Sequence, residues 1–155
     1  MKFYLPAILS SEINDGVLQQ ESESSSALGY DNNFLEEDID SKGDEAIDAL
    51  AVSLREWVNS EKYLSADKSV EVVAAELNTD VSTLRWYFRN KMNKDFRTYR
   101  VELRIEYVKR ILSENPNISL NAISLKAGFN TKANFYTYFK KYVGMSPAEY
   151  LKNRI

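Results

Sequence analysis

The fold of this chain is decided by residues 119–150, which read SLNAISLKAGFNTKANFYTYFKKYVGMSPAEY. Ser119 is a favourable N-cap for a short helix, and Gly128 follows that helix as the residue type that a left-handed helix end prefers. Thr131 is placed to cap a second helix, which Gly144 ends. The apolar residues of these helices are Leu120, Ile123 and Leu125, then Phe135, Tyr138, Phe139 and Val143. Two short capped helices joined by a tight turn are the plan of a helix-turn-helix unit.

The same plan occurs earlier in the chain, in residues 69–99, which read SVEVVAAELNTDVSTLRWYFRNKMNKDFRTY. An offset of 50 aligns Ser69 with Ser119, and beyond the turn an offset of 51 aligns Asp80 with Thr131. The pairs that keep this second offset are Leu84 with Phe135, Phe88 with Phe139, Asn93 with Gly144, and Tyr99 with Tyr150. Caps, turn and apolar positions thus stay in step, which indicates a duplicated helix-turn-helix unit.

The segment between the two copies has the pattern of one long helix, from about residue 96 to residue 113. The pair Asn115-Pro116 ends it, because the residue before a proline disfavours the helical region. At ~1.5 Å per residue this connector is roughly 27 Å long, against the ~34 Å between successive major grooves on one face of B-DNA. A rigid connector of that length suits two recognition helices in adjacent grooves, and a helical bundle that happens to repeat is the alternative.

The rest of the C-terminal part is also helical in pattern. Apolar residues from Ile47 to Val58 predict a first amphipathic helix, and Ser146-Pro147 opens a last helix through Tyr150. No segment alternates with a period of two, so we predict an all-α domain over residues 48–155. Its parts are a first helix-turn-helix at about 69–92, the connector at about 96–113 and a second helix-turn-helix at about 119–143.

The net charge of −3 conceals two parts of opposite sign. Residues 1–47 hold two basic and eleven acidic residues (2 − 11 = −9), and residues 48–155 hold 18 basic and 12 acidic residues (18 − 12 = +6). The stretch 19–45 is rich in Ser, Asp, Glu and Asn, so we predict that residues 1–47 are an acidic, largely disordered arm or linker. A further hypothesis is that acidic residues of this arm compete with DNA for the basic domain: Glu36, Glu37, Asp38 and Asp40.

Composition also excludes several classes of function. The chain has no cysteine and no histidine, which rules out disulfides, thiolate metal sites, a Ser-His-Asp triad and a histidine general base. Carboxylate or lysine chemistry remains open, but no phosphate-cradling glycine loop or paired acids point to an enzyme. We therefore expect no enzymatic activity, no metal and no cofactor. No apolar run approaches the ~20 residues of a membrane span, which favours a cytoplasmic protein.

In a helix-turn-helix unit the second helix enters the major groove with its free face. In the first copy this face is predicted to carry Ser82, Thr83, Arg85, Trp86 and Arg89. Arg85 is our candidate for a guanine edge, Arg89 for a base or a phosphate, and Trp86 for a thymine methyl or a sugar. Surface arginines that only confer solubility are the alternative, and Trp86 is equally compatible with partial burial.

In the second copy the free face is predicted to carry Lys132, Ala133, Asn134, Tyr136 and Thr137, followed by Lys140 and Lys141. Lys132 and Tyr136 are candidates for base contacts, and Asn134 is a weaker candidate for adenine. Lys140 and Lys141 suit phosphates, which supply affinity and salt dependence. On the connector, Arg97, Arg100 and Arg104 are candidates either for phosphate ligands or for ion-pair partners of Glu102 and Glu106. We favour the ion pairs, except at Arg97 near the helix start.

These motifs resemble the signature of AraC/XylS-type regulators. The resemblance rests on LRIEY at 103–107, AGFN at 127–130 and FxxxFKKxxGMSPxxY at 135–150, and it covers about residues 48–155. It implies a seven-helix domain of two units, double-stranded DNA as partner, and activation near RNA polymerase. The contact positions that the family implies here are Ser82, Arg85 and Trp86, then Lys132, Ala133, Tyr136 and Thr137.

The chain departs from the family pattern in two ways. Asn93 stands where the first unit usually has glycine, although asparagine tolerates the left-handed conformation. Many family members also carry a separate sensory or dimerisation domain, and residues 1–47 are too short for one; no small-molecule effector site is evident. The chain is then either controlled by other means or the C-terminal piece of a longer regulator. A different class of function is a protein-interaction module that uses this scaffold with little DNA affinity.

Overall fold

A computed structural model describes residues 43–66 and 68–153 of the chain. The prediction of an acidic arm therefore lies almost wholly outside the described residues. In chain order, the α-helices of the described residues are α1 Asp44–Asn59, α2 Val70–Glu76, α3 Val81–Lys91, α4 Phe96–Glu114, α5 Leu120–Lys126, α6 Lys132–Val143 and α7 Pro147–Lys152. A 3-10 turn, Lys62–Leu64, lies between α1 and α2. The all-α prediction of two helix-turn-helix units joined by a long helix is confirmed.

Two details of the helices differ from the sequence-based expectation. Helix α1 begins at Asp44, three residues ahead of Ile47, which is the first apolar residue of the predicted helix and is buried. Leu125 was expected on the apolar face of α5 but is 63% exposed. The reason is angular: Leu125 follows buried Ile123 by two residues, and residues two apart on a helix do not share a face.

The helix starts are fixed by the caps that the sequence indicates. The side chains of Ser69, Asp80, Ser119 and Thr131 each accept a hydrogen bond from a backbone N–H in the first turn of the helix they precede. Such a cap contributes about 1 kcal/mol to stability. Two further caps were not predicted as such: Asp95 accepts from the N–H of Thr98, and Ser146 forms a capping box with Glu149.

Left-handed residues close the helices where the sequence places glycine or asparagine. Gly128 has φ of +79° and Gly144 has φ of +83°. Asn93, which takes the place of a glycine in the first unit, has φ of +50°. Asparagine is among the few residues besides glycine that enter this region routinely, so the departure noted in the sequence is accommodated.

Helix α4 passes between the two units and is buried along most of its length. The rings of Phe88 and Phe96 lie 5.3 Å apart in the first unit, and Phe96 lies 5.8 Å from Trp57. In the second unit Phe135 and Phe139 lie 5.7 Å apart, and Phe139 lies 5.5 Å from Tyr150. The buried residues of α4 contribute to one continuous core with both clusters: Val101, Leu103, Ile105, Tyr107, Val108 and Leu112. Among the described residues, none of the helices is long and apolar enough to cross a membrane.

Candidate nucleic-acid interface

Helix α3 presents a basic exposed side to solvent. Arg85 and Arg89 are exposed, and Ser82 is half-buried. Thr83 was expected on the same free face, but it is 3% exposed and that expectation is wrong. Its backbone N–H donates to Asp80 Oδ1 (2.9 Å) and its hydroxyl donates to Asp80 Oδ2 (2.8 Å). Thr83 therefore completes the cap of α3, and its burial leaves it out of the candidate interface.

Trp86 lies at the edge of this surface, where it contacts residues of its own helix. The ring is half-buried, and Lys91 Nζ lies 5.9 Å from its centroid. One turn on, Asn90 Nδ2 donates to the backbone oxygen of Trp86 (2.9 Å). The indole is thus partly accessible beside Arg85 and Arg89, in keeping with both alternatives that the sequence left open.

Helix α6 presents the matching side of the second unit. The residues that are exposed as expected are Lys132, Ala133, Asn134, Thr137, Lys140 and Lys141. Tyr136 is half-buried, with its ring edge-on to Phe135 (5.5 Å, 88°) and Lys132 Nζ 5.6 Å from its centroid. Lys132 and Tyr136 therefore lie side by side near the start of α6, where they present a positive charge next to an aromatic ring.

A groove of about 460 Å³ lies between the two recognition helices. We call it the central groove and define it by Arg85 of α3, by Arg97, Arg100 and Arg104 of α4, and by Asn134 and Tyr138 of α6. Because Arg85 and Asn134 belong to the two exposed faces described above, those faces border the same groove. The structure thus brings together one candidate base-reading residue from each unit.

The arginines of α4 do not form the ion pairs that the sequence suggested, and that interpretation is wrong. Arg104 Nε donates to the backbone oxygen of Tyr63 (2.8 Å) and its Nη2 donates to that of Ser65 (2.9 Å). Arg100 donates to the backbone oxygens of Lys68 (2.7 Å) and Ser65. Each arginine follows or precedes its supposed acid by two residues, and residues at that spacing do not face each other.

The two acids have other partners instead. Glu102 pairs with Lys94 (2.7 Å) and Glu106 pairs with Lys109 (2.8 Å). The guanidinium groups of Arg100 and Arg104 are therefore bound by neutral carbonyl oxygens. Burial, and secondly the charge of Arg100, lower the pKa of Arg104 to about 10, which still leaves it charged at neutral pH. The central groove consequently carries positive charge that its hydrogen-bond partners do not neutralise.

Sequence reasoning missed several residues of the groove. The sequence favoured ion pairs over phosphate contacts for Arg100 and Arg104, it indicated only an apolar position for Tyr138, and it gave no role to Asn130, which also lines the groove. A signal was present: Arg97, Arg100 and Arg104 are three and four residues apart, which places three guanidinium groups on one side of α4. Arg97 Nη2 donates to the hydroxyl of Tyr138 (3.2 Å), and this contact joins α4 to α6 across the groove wall.

Two capped helix-turn-helix units on one connector, with basic exposed faces on both second helices, define a tandem helix-turn-helix protein. The profile of the family described as "Helix-turn-helix domain" matches residues 73–153. The chain belongs to this family, in its AraC/XylS-type form, whose members are DNA-binding transcription regulators.

Individual relatives and solved structures are similar to parts of the chain. The melibiose operon regulatory protein of Escherichia coli (strain K12) is 33% identical over 84 residues, which are 54% of this chain and 28% of that protein. The Msm operon regulatory protein of Streptococcus mutans serotype c is 30% identical over 105 residues, covering 64% of this chain and 37% of that protein. The chain thus spans roughly a third of the length of these curated relatives.

Among solved structures, the DNA-binding domain of AdpA, described as a global transcriptional factor in complex with a target DNA, has the same fold. It superposes with a TM-score of 0.59 at 22% identity, and the match covers 68% of this chain and 91% of that chain. At this level of identity the likeness is one of fold.

Proposed function

We propose that this protein is a sequence-specific DNA-binding transcription regulator that places α3 and α6 in adjacent major grooves on one face of the duplex. The observation that carries this proposal is that the exposed faces of both recognition helices border one basic groove. Helix α4, with 19 residues, is about 28 Å long, which suits the ~34 Å repeat of the major groove once the width of the helices is included.

Each recognition helix has residues suited to reading bases and residues suited to phosphates. In α3, Arg85 is placed for the O6 and N7 atoms of a guanine, with Ser82, Trp86 and Arg89 beside it. In α6 the corresponding residues are Lys132, Ala133, Asn134, Tyr136 and Thr137, with Lys140 and Lys141 placed for phosphates. We leave Thr83 out of this set because it is buried in the cap of α3.

We infer the regulatory role from the family and from the relatives, two of which are operon regulatory proteins. We propose that the protein acts as an activator, with RNA polymerase as a second partner, in the cytoplasm where its DNA target lies. Recognition of DNA and contact with the transcription machinery account for this activity without a catalytic step.

The test is selection of bound duplexes from a random-sequence library, followed by sequencing, with wild-type protein and with Arg85→Ala. We expect an enriched motif of two half-sites about ten base pairs apart, since that spacing puts both major grooves on one face. Arg85→Ala should lose base preference within one half-site only. Lys109→Ala, which removes a half-buried charge further along α4 that pairs with Glu106, is the control and should select the wild-type motif.

The contrary result is no enriched motif and no binding even at low salt. A second candidate, a protein-interaction module, would then be favoured by the exposed apolar side chains Leu125 and Val72 on the first helices of the two units. The discriminating measurement is then retention of RNA polymerase or of a partner regulator on the immobilised protein, compared with a Leu125→Asp variant.

A further inference from the structure

The lining of the central groove carries a net positive charge that its own acidic residue does not balance. Its lining includes four guanidinium groups, those of Arg85, Arg97, Arg100 and Arg104, and one carboxylate, that of Asp95. Asp95 is occupied as the cap of α4, where it accepts from the N–H of Thr98 (2.8 Å) and from the Thr98 hydroxyl (3.0 Å). Four positive charges against one negative charge leave the lining with a net charge of +3.

The acids around the groove do not neutralise these arginines. Among the described residues, none of the four guanidinium groups lies within ion-pair distance of a carboxylate. Glu76 is the acid whose charge acts on Arg100, but its carboxylate is engaged by Lys68 and by Trp57 Nε1 (3.2 Å). Nε of Arg100 is buried without a hydrogen-bond acceptor in the part of the chain that the structure describes. The neighbouring lysines Lys68 and Lys94, in contrast, each have an acid partner.

The position of the groove indicates what compensates this charge. Its border includes Arg85 of α3 and Asn134 of α6, so it lies between the two surfaces that face the major groove. Between two successive major grooves on one face of B-DNA the minor groove faces the protein, bordered by the two phosphate backbones. A groove of about 460 Å³ has room for a phosphate group and the sugars beside it, and guanidinium groups are the preferred donors for phosphate oxygens.

We propose that the central groove holds a backbone phosphate of DNA at the point where the duplex passes from one half-site to the other, with Arg97 as its direct ligand. Arg97 is exposed, and its hydrogen bond to Tyr138 orients the guanidinium from the groove wall. Arg100 and Arg104 act behind it, because their N–H groups are fixed on loop carbonyls while their charge remains. This inference rests on the proposed function, and it assigns the centre of the complex a contact that reads no base.

The direct test uses the selected duplex with the phosphates between the half-sites replaced, one at a time, by neutral methylphosphonates. For wild-type protein we expect about a ten-fold loss of affinity at one or two central phosphates, as for loss of a charge-assisted hydrogen bond. Arg97→Ala should show a comparable loss on the unmodified duplex and no further loss on the modified one. The slope of log K against log salt should become shallower by about 0.9 in Arg97→Ala, since one phosphate contact is lost.

Lys109→Ala is the matched control, because it removes one positive charge from the same helix. It lies 12 residues from Arg97, about 18 Å along the helix axis. Its affinity should still fall about ten-fold on the modified duplex, as for wild type. Circular dichroism of both variants checks that neither has lost the fold.

A free anion is the other possible source of phosphate chemistry in the groove. Inorganic phosphate is titrated into the DNA-free protein while the arginine side-chain N–H resonances are followed. The inference predicts only weak, non-saturating shifts, because a single free phosphate lacks the register that the bound duplex imposes. Saturable binding of inorganic phosphate, together with unchanged affinity for the central methylphosphonates, would overturn the inference in favour of a small-anion site.

The two levels of the proposal fail in distinguishable ways. If the protein binds a selected motif that depends on Arg85 but is indifferent to every central methylphosphonate, the groove inference is wrong and the proposed function stands. If it binds no duplex at all, both are wrong.

Discussion

Gly128→Ala should damage this fold far more than the formally identical change Gly144→Ala. Both glycines end the first or second helix of the same helix-turn-helix unit, with φ of +79° and +83°. They differ in surroundings: a Cβ at Gly144 would meet nothing within 4 Å, whereas one at Gly128 would lie 2.0 Å from the backbone oxygen of Leu64. Comparing the two variants therefore separates the cost of backbone strain from the cost of steric contact with the loop after α1.

The expected magnitudes follow from that difference. An alanine in the left-handed region costs about 1–2 kcal/mol, and the lower entropy of its unfolded chain returns up to ~1 kcal/mol, so Gly144→Ala should lose about 1 kcal/mol. In Gly128→Ala the backbone oxygen of Leu64 must also move away from the new Cβ by about 1 Å. Only then is their distance 3.0 Å, below which Cβ contacts essentially do not occur. That movement displaces the carbonyls of Tyr63 and Ser65, which Arg104 binds at 2.8 and 2.9 Å.

A hydrogen bond to a charged group is worth about 1.5–3 kcal/mol, so Gly128→Ala should lose roughly 3–4 kcal/mol of unfolding free energy. That is a large part of the ~5–15 kcal/mol of a typical domain. Urea denaturation followed by circular dichroism gives both values. Equal losses in the two variants, within about 0.5 kcal/mol, would refute the reasoning, because the loop would then yield without disturbing Arg104.

Two further predictions concern acid and the N-terminal segment. The hydrogen bond from Lys68, assisted by Trp57 and opposed by burial, lowers the pKa of Glu76 in the folded protein, so its stabilisation is present above the ordinary value of 4.5 and is lost as pH falls below it. Acidification from about pH 5 to pH 3 should therefore lower the urea midpoint more in wild type than in Glu76→Gln; equal slopes would contradict this. Deleting residues 1–42, which hold nine acidic and two basic residues and end before α1, should tighten DNA binding at low salt and have little effect at high salt. Unchanged affinity at low salt would rule out competition between this segment and DNA.

The sequence was sufficient for the architecture because the unit occurs twice. Cap residues such as Asp80 and Thr131 stand at matching positions, and a cap is a local interaction that sequence spacing determines. The left-handed residues Gly128 and Gly144 mark the helix ends for the same local reason. Tandem helix-turn-helix topology then follows from local signals that agree with each other.

The central groove could not be predicted in the same way because its partners are distant in sequence. Arg104 binds carbonyls of residues about forty positions earlier, in a loop whose path depends on how α1 packs. Helical periodicity states which residues share a face, but α4 is buried on several sides and therefore has no single inner face. The same limit applies to Thr83: its position on the helix suggested an exposed side chain, but it is 3% exposed and its hydroxyl donates to Asp80.

The distribution of ion pairs bears on the choice between DNA and a protein partner. Among the described residues, the ion pairs join Lys68 to Glu76, Lys94 to Glu102, Lys109 to Glu106 and Arg110 to Glu61. None of these pairs involves a basic residue of α3 or α6, which are Arg85, Arg89, Lys91, Lys132, Lys140 and Lys141. Protein–protein interfaces are depleted in lysine at their cores, whereas a polyanion gains affinity from each unpaired cation by releasing counterions. The described acids therefore pair with cations elsewhere and with none on the two recognition helices, which favours DNA as the partner of this surface.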